Sequence, residues 1–380
     1  MKILILGIDG YLGWPLALYL TEKGYEVTGV DCSIKRDWEN QVDGHPLVAL
    51  PSLTSRVKTA ANLNYPMDVY HVDIALESGA LYDIIGSVKP DAIIHLAEQP
   101  SAPYSMENRS RAVSTQMNNV IGTLNLLFAV KSQCPDCHII KLGTMGEYGT
   151  PNIDIEEGWL NIKHNDREDR VLYPKKPGSF YHLSKVHDSA NLEFACRIWD
   201  LRVTDLNQGV VWGINPLPIM NHVGMHTSFH YDSTFGTVIN RFITQAVAGE
   251  PLTIYGDGSQ TRGFIHIMDT LRCIELAMET PAGVGEFRVF NQFTEQWSVR
   301  NLAEIVASNM VGSTYQMVPN PRVEQYNHYY NAKNDGLLNL GLDPIRMSPE
   351  TIKEIINYVS MYNTNINVDY FKPTIKWRDV

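Results

Sequence analysis

The chain opens with the apolar run KILIL, which leads into a glycine-rich turn and then a helical pattern. Gly7, Gly10 and Gly13 follow the run, and the next strand-like stretch, YEVTGVD, ends on Asp31. Glycines placed in this way allow a tight turn and bring a pyrophosphate close to a helix N-terminus. The pattern predicts a dinucleotide site in which Asp31 binds a ribose. A carboxylate there repels a 2′-phosphate, so we expect NAD rather than NADP, although the nearby Arg36 weakens that preference.

Strand and helix patterns alternate beyond this unit. Strands are predicted at about 69–72, 91–97, 138–144 and 201–207, with helices at about 77–87, 114–133 and 179–199. Such alternation predicts an α/β fold, a Rossmann-like doubly wound parallel sheet. We expect an NAD-binding domain over residues 1–210, with a turn-rich insertion at about 32–66. A smaller, mixed α/β substrate-binding domain is expected over 211–380, with some segments returning to the sheet.

Composition argues against several classes of protein. The formal net charge is −11 and no cluster of Lys and Arg stands out, so no nucleic-acid binding is expected. The longest apolar runs have the length of strands, which predicts no membrane insertion, and the chain start lacks a leader pattern, which favours a cytoplasmic protein.

Two further residue patterns could indicate a disulfide or a metal site. Cys134 and Cys137 form a lone C-x-x-C, and the odd total of five cysteines predicts reduced thiols rather than a disulfide framework. His222, His226 and His230 are spaced by four, but the outer pair would lie about 12 Å apart on a helix, too far to share one ion. No metal is expected.

Tyr181 and Lys185 lie four residues apart in SFYHLSKVHD, a stretch predicted to be helical. Residues at this spacing share one face of a helix. A free tyrosine has a pKa near about 10, and a nearby ammonium group lowers it toward the range of a useful base. Thr144 ends the predicted strand 138–144, where its hydroxyl could bond to a substrate hydroxyl. The three residues predict the oxidation of an alcohol by NAD.

These residues on this scaffold resemble the extended short-chain dehydrogenase/reductase superfamily that acts on nucleotide sugars. Longer strings narrow the resemblance, over nearly the whole chain, to the UDP-sulfoquinovose synthase family: EQPSAPYSMENRSRAV, KLGTMGEYGTPNIDIEEG, DLNQGVVWG and YGDGSQTRGF. The resemblance implies a homodimer that converts UDP-glucose and sulfite into UDP-sulfoquinovose and water. It implies transient oxidation at sugar carbon 4, dehydration across carbons 5 and 6, sulfite addition at carbon 6 and re-reduction, with NAD as cofactor.

The resemblance also assigns roles to residues. Tyr181 would be the base, Lys185 its activator and Thr144 the group that orients the 4-hydroxyl. Related 4,6-dehydratases carry an Asp-Glu pair directly after the threonine, where this chain has Met145 and Gly146. We expect Glu147 to protonate the leaving hydroxyl, with His182 as the alternative.

The remaining expected contacts fall into two sets. The expected cofactor contacts are Gly7, Gly10, Tyr11, Leu12, Gly13, Asp31, Arg36, Asp73, Ile74, Leu96, Asn119, Tyr181, Lys185, Gln208 and Val211. The expected substrate contacts are Ser101, Thr144, Met145, Gly146, Gln208, Asn240, Arg241, Thr253, Ile254, Tyr255, Arg262, Arg322 and Glu324. The resemblance places Arg262 at the substrate diphosphate and Glu324 near its ribose.

One departure affects the expected sulfur chemistry. The plant-like form of the family has arginine in EQRSAPYS, where this chain has Pro100. Three alternatives stay open: Arg109 or Arg111 replaces that arginine, or a partner protein channels sulfite to the site. The alternatives are a UDP-glucose 4-epimerase, a 4,6-dehydratase, and a non-catalytic protein that binds NAD and nucleotide sugars.

Overall fold

The structure is a computed structural model, and it describes residues 1–214, 217, 222, 224–325 and 328–378. Its strands are β1 (Lys2–Leu6), β2 (Glu26–Asp31), β3 (Asp68–His71), β4 (Ala92–His95), β5 (His138–Thr144), β6 (Trp159–His164), β7 (Arg167–Leu172), β8 (Arg202–Gln208), β9 (Val210–Trp212), β10 (Leu252–Tyr255), β11 (Thr261–His266), β12 (Phe287–Gln292), β13 (Glu295–Ser298) and β14 (Tyr315–Val318).

The helices cover both faces of the main sheet and build the second half of the molecule. They are α1 (Gly13–Glu22), α2 (Ile34–Val42), α3 (Leu53–Asn62), α4 (Ser78–Val88), α5 (Ala102–Met106), α6 (Arg109–Gln116), α7 (Gly122–Gln133), α8 (Phe180–Trp199), α9 (Val238–Val247), α10 (Ile267–Glu279), α11 (Val299–Ser308), α12 (Asp335–Asn339) and α13 (Pro349–Met361). Among the helices that the structure describes, none has both the length and the apolar content needed to cross a bilayer.

Seven strands form one parallel sheet in the order β12-β8-β5-β4-β1-β2-β3. The strand order reverses between β1 and β4, so the segments that follow these two strands leave toward opposite faces of the sheet. A crevice that can take a ligand opens between them, at the carboxyl ends of the strands. One apolar cluster contains Ile3 and Ile5 and the other contains Leu4 and Leu6, so alternate residues of β1 face opposite sides of the sheet. The predicted doubly wound α/β fold is confirmed.

Several elements differ from their predicted bounds. The insertion at 32–66 folds into two helices, α2 and α3. The helix predicted over 114–133 is instead α6, a π-helical turn at Met117–Ile121, and α7. The seventh strand of the sheet, β12, comes from residues 287–292. The division into domains at about residue 210 stays a prediction.

A third apolar cluster packs the second half of the chain, where α9, α11 and α13 surround β10 and β11. Its members include Trp212, Phe242, Ile254 and Leu302, all fully buried. Leu47, from the segment between α2 and α3, is also buried in this cluster. The insertion is therefore packed against the C-terminal half on the side where the sheet carries its carboxyl ends.

Candidate active site

The glycine turn brings the start of α1 close to β4. Gly7 has φ +91°, and a Cβ there would lie 2.7 Å from the backbone nitrogen of Ala97. A Cβ on Gly13 would lie 2.0 Å from the carbonyl oxygen of Gly7. A Cβ on Gly10 would meet only that carbonyl oxygen, at 3.4 Å. The first and third glycines are therefore required by the backbone packing, whereas Gly10 leaves room above the helix N-terminus.

A cavity of about 310 Å³ opens at this turn and extends toward the insertion. Seven of the predicted cofactor residues line it: Gly7, Gly10, Asp31, Arg36, Asp73, Ile74 and Leu96. Trp38, Glu39 and His45 of the insertion line the same cavity, as does Ser228 of the second half. The insertion thus covers the end of the cavity where the sheet presents Asp31.

Asp9, inside the glycine turn, is bound by two arginines from the insertion. Arg36 donates to it from Nε at 2.8 Å, and the buried Arg56 donates from Nη1 at 2.7 Å. Arg36 also donates to the carbonyl oxygens of Leu50 and Pro51. The Arg36 guanidinium is therefore occupied by protein groups, which removes the reason to expect it at a 2′-phosphate.

Thr144 and Tyr181 meet at the carboxyl end of β5. The backbone N–H of Tyr181 lies in the first turn of α8 and donates to the Ser105 hydroxyl at 3.0 Å. The Thr144 side chain lies near the phenol of Tyr181 and slightly lowers its pKa. The ammonium group of Lys185 lies 5.9 Å from the centre of the Tyr181 ring and donates to the carbonyl oxygen of Leu142 at 2.7 Å. The three residues predicted from the sequence are thus brought together.

Lys185 has a partner that the sequence did not reveal. Its ammonium group forms an ion pair with Glu98, whose side chain is only 3% exposed. Burial raises the pKa of Tyr181 above its ordinary value, and the carboxylate of Glu98 raises it further, while Lys141 lowers it. These surroundings favour the protonated form of the Tyr181 phenol.

Glu147 is fully buried behind Thr144 rather than exposed to a substrate. Its carboxylate forms an ion pair with Lys175, lies 3.7 Å from the ammonium group of Lys141 and accepts from Ser189 at 3.0 Å. Burial alone would raise the pKa of Glu147, but the two lysines outweigh it and lower this pKa to about 2. A carboxylate ionised at neutral pH has no proton to donate, so the expected role of Glu147 as the acid disagrees with this geometry.

The chain leaves the strand conformation directly after Thr144. Residues Met145–Glu147 form one turn of 3₁₀ helix, in which Thr144 accepts from the Gly146 nitrogen at 3.1 Å. The Glu147 carboxylate accepts in return from the Thr144 nitrogen at 3.3 Å. This reciprocal capping fixes the backbone of the threonine.

His182 lies over Gly146, with its ring 5.1 Å from that of Tyr181. A Cβ on Gly146 would come within 2.3 Å of Nε2 of His182, so only glycine leaves space for this ring. Burial, followed by Arg322 and Arg262, lowers the pKa of His182 to about 4. The imidazole is therefore neutral at pH 7 and can accept a proton through Nε2, while Nδ1 is paired with Ser179 at 3.0 Å.

Three arginines approach each other near His182. Arg262 donates to Glu324 at 2.9 Å, and Arg241 donates to the Tyr255 hydroxyl at 3.1 Å. Burial lowers the pKa of Arg322; Glu324 opposes this shift, whereas Arg241 and Arg262 contribute to it. Glu324 pairs with Arg262 and also acts on Arg322, whereas Arg241 donates to the Tyr255 hydroxyl and the carbonyl oxygen of Thr253. The three guanidinium groups therefore bring excess positive charge, which suits a diphosphate.

The sequence pattern of one family covers most of this architecture. The NAD dependent epimerase/dehydratase family matches residues 3–291. The chain belongs to this family. The match includes the glycine turn, Thr144, Tyr181 and Lys185, so the predicted superfamily is confirmed.

Two characterised relatives are similar over the full chain. A chloroplastic UDP-sulfoquinovose synthase of Spinacia oleracea is 47% identical over 383 residues, which cover 100% of this chain and 80% of that protein. A UDP-sulfoquinovose synthase of Sulfolobus acidocaldarius is 42% identical over 388 residues, which cover 100% of this chain and 98% of the relative.

Solved structures share the fold at lower identity. A UDP-glucose 4-epimerase of Thermotoga maritima with UDP-glucose has a TM-score of 0.69 and 22% identity, covering 94% of this chain and 98% of the other. A UDP-glucuronic acid 4-epimerase of Bacillus cereus, in complex with UDP-glucuronic acid and NAD, has a TM-score of 0.68 and 21% identity, covering 95% and 99%.

The residues present fit NAD, the cofactor of this family. The glycine turn leaves open space over the N-terminus of α1, where a pyrophosphate binds. Asp31 accepts from the backbone nitrogens of Asp9 at 2.8 Å and Ser33 at 2.6 Å, which places its carboxylate at the rim of the cavity. The cavity reaches Glu98, beside the Tyr181–Lys185 pair.

Two predicted contact residues have structural roles. Ser101 caps α5, accepts from Tyr104 and donates to the carbonyl oxygen of Thr234 at 2.6 Å, so its hydroxyl is occupied. Asn119 is fully buried, where its amide bonds to the Ser184 hydroxyl at 2.9 Å and to the backbone of Gln99. Their polar atoms hold the loop after β4 against neighbouring segments, and their direct contact with a ligand stays a prediction.

The other residues predicted to contact the cofactor or the substrate have the following positions. Gln208 pairs with Thr144 across β5 and β8, and the Tyr11 hydroxyl donates to Gly213 at 2.8 Å. Asp73 accepts from the backbone nitrogens of Ala75 and Leu76, so its carboxylate also shapes a turn at the cavity. The remaining ones are Leu12 at the start of α1, Met145 behind Thr144, Val211 in β9, Asn240 in α9, and Thr253 and Ile254 in β10.

Sequence reasoning missed the buried charges that support the site. Lys141 lies in the middle of β5, fully buried, 3.7 Å from carboxylate oxygens of both Glu147 and Asp205. A lysine inside the apolar strand HIIKLGT could have signalled a buried partner, because an unpaired charge is not tolerated there. No such pattern marks Glu98 in the sequence. Its ion pair with Lys185 forms only when α8 packs beside β4.

Proposed function

We propose that this protein is a UDP-sulfoquinovose synthase, which converts UDP-glucose and sulfite into UDP-sulfoquinovose and water. The observation that carries the proposal is full-length identity of 47% and 42% to two synthases from a plant and an archaeon. Thr144, Tyr181 and Lys185 supply the groups that oxidation of a sugar hydroxyl requires, and they meet at one end of the sheet.

The chain's own residues handle the protons of the reaction. Tyr181 takes the proton of the sugar 4-hydroxyl, and Thr144, whose side chain lies beside the phenol, orients that hydroxyl. NAD, when bound, supplies reversible hydride transfer at carbon 4. His182 is neutral and adjoins Tyr181, so we assign it the proton exchange at carbons 5 and 6 in place of Glu147.

The substrate's nucleotide is assigned to the arginine cluster. Arg262, Arg322 and Arg241 would bind the diphosphate, because they bring more positive charge than Glu324 neutralises. Sulfite is an anion, and the same excess charge supports its entry beside His182. Arg111 does not replace the family arginine absent at Pro100, because it is paired with Glu107 and stacked on Tyr104 at 4.8 Å.

A homodimer is part of the proposal. Helices α6 to α8 present large apolar side chains to solvent on the flank of the sheet: Val113, Met117, Phe128, Phe194 and Ile198, which are 40–53% exposed. An apolar face of this kind is typical of a helix pair that packs against a second copy. A Phe194→Glu variant should sediment as a monomer, and a wild-type protein that already sediments as a monomer would refute the proposal.

Mass spectrometry of the nucleotide sugar tests the reaction. Purified protein with NAD is incubated with UDP-glucose, with and without sulfite, and Tyr181→Phe is the control. A sulfonate-for-hydroxyl mass gain that requires both sulfite and Tyr181 supports the synthase. Unchanged mass with new galactose stereochemistry would make the protein an epimerase, and loss of water without sulfonate a dehydratase. No turnover with retained NAD would favour the non-catalytic reading. The sulfite-channelling partner and the cytoplasmic location stay predictions.

A further inference from the structure

Glu98 is a buried carboxylate to which no step above gives a role. It lies just beyond β4, and its side chain is 3% exposed. One oxygen contacts the ammonium group of Lys185, and the other lies 3.5 Å from Nε2 of His95. Apart from these two contacts, the described residues offer its oxygens no hydrogen-bond donor. A carboxylate buried in this way acts chiefly on its one cation, Lys185.

The other charges around this pair nearly balance. The titratable groups that face it are His95 on β4, Lys141 on β5, Glu147 beyond β5, and Tyr181 and Asp188 on α8. Burial lowers the pKa of His95 to about 4, so this ring is neutral. Burial and Glu98 raise the pKa of Asp188 well above its ordinary value, which favours its protonated form. Glu98 is therefore the anion that decides how much of the Lys185 charge reaches Tyr181.

We propose that Glu98 is a positioning residue that cancels the charge of Lys185, so that Tyr181 keeps its proton until the oxidised cofactor, whose nicotinamide ring is positively charged, is bound. The inference rests on the function proposed above. On binding of the oxidised cofactor, the phenol proton would pass to solvent, which leaves the Tyr181 oxygen ionised. That oxygen would then take the proton of the 4-hydroxyl as carbon 4 gives up a hydride. The same proton would return from Tyr181 to oxygen 4 when carbon 4 regains the hydride, at which stage the cofactor ring is neutral.

This arrangement serves a redox-neutral enzyme in particular. A tyrosine activated permanently by an uncompensated lysine would stay ionised in both states and would be a poor acid for the return step. With Glu98 in place, the local field beside Tyr181 is close to neutral, and the charge of the cofactor ring decides the ionisation of the phenol. The Tyr181 phenol would then serve both as the base and as the acid, and the charge of the cofactor ring would set its protonation state.

The test is a titration of Tyr181 by NMR with ¹³C-labelled tyrosine, in which Tyr181→Phe assigns the signal. It is run on free protein and on complexes containing UDP with NAD⁺ or with NADH, so no turnover occurs. In the wild type, the pKa of Tyr181 should fall by at least about one unit with NAD⁺ and stay high with NADH. In Glu98→Gln it should already be lower by at least about one unit in the free protein.

Two further variants separate charge from packing. Asp188→Asn, at the same buried site, should leave the Tyr181 titration unchanged, because asparagine imitates a protonated aspartate. Glu98→Gln combined with Lys185→Met removes both charges and should return the titration toward that of the wild type. An unshifted Tyr181 in Glu98→Gln, or an equal shift in Asp188→Asn, would overturn the proposal. Failure to form the sulfosugar would instead count against the proposed function, because the titration of free protein involves no reaction.

Discussion

The replacement of Glu147 by glutamine tests the buried charge network behind Thr144. Burial alone would raise the pKa of Glu147, but Lys175 and Lys141 lower it from 4.5 to about 2. A shift of this size corresponds to about 3 kcal/mol of unfolding free energy. The loss of one partner from a buried ion pair costs a similar amount, about 3–5 kcal/mol, because the remaining charge stays buried. We therefore expect Glu147→Gln to lower the free energy of unfolding at pH 7 by about 3 kcal/mol.

Urea unfolding followed by circular dichroism measures this difference, and its pH dependence checks the cause. Because the pKa of Glu147 is lower in the folded state, its stabilisation is complete above the unfolded pKa of 4.5 and is lost as the pH falls toward 2. The gap between wild type and variant should therefore narrow as the pH falls below about 4.5, the unfolded pKa.

A surface glutamate in a comparable ion pair provides the matched control. Glu168 lies 3.8 Å from Lys163, and the two side chains are 77% and 64% exposed. Glu168→Gln should change the free energy of unfolding by less than about 1 kcal/mol, because water screens such a pair. Equal effects of Glu147→Gln and Glu168→Gln, or a gap that does not depend on pH, would refute the buried network as the source of stability.

Three other substitutions have clear expected outcomes. Gly146→Ala should abolish turnover without unfolding the protein, because its Cβ would lie 2.3 Å from Nε2 of His182; normal turnover would contradict that placement. Arg262→Gln should raise KM for UDP-glucose about tenfold or more, whereas Arg300→Gln, whose guanidinium bonds only to a surface carbonyl, should not. Gly13→Ala should weaken NAD binding in calorimetry, because its Cβ would meet a backbone oxygen at 2.0 Å; unchanged affinity would argue against the glycine turn as the cofactor site.

The fold and the reacting groups could be predicted because their signals are local. Strand and helix periods, glycines after β1 and the four-residue spacing of Tyr181 and Lys185 all lie within single elements. The orientation of Glu147 could not be predicted in the same way, because the chain bends into a 3₁₀ turn directly after Thr144.

The surroundings of those groups could not be predicted, because they join distant parts of the chain. Glu98 meets Lys185 only when the loop after β4 and α8 pack together, and Lys175 meets Glu147 across 28 residues. An ion pair leaves no periodic pattern in sequence, so a buried charge can signal that a partner exists without identifying it. The structure identifies Glu98 as the partner of Lys185. It also shows that burial and Glu98 favour the protonated form of the Tyr181 phenol.

The packing of His182 explains why residue 146 is a glycine in this chain. Related dehydratases carry an Asp-Glu pair in these positions, and a glutamate at 146 would need the space that the His182 ring now fills. Gly146 leaves the space that His182 occupies, so a neutral imidazole stands beside Tyr181 in place of a carboxyl group. A neutral imidazole next to Arg262 and Arg322 can exchange a proton without repelling an incoming anion, whereas a carboxylate in its place would oppose sulfite. The substitution that argues against a plain dehydratase is thus also the one that suits an anionic nucleophile.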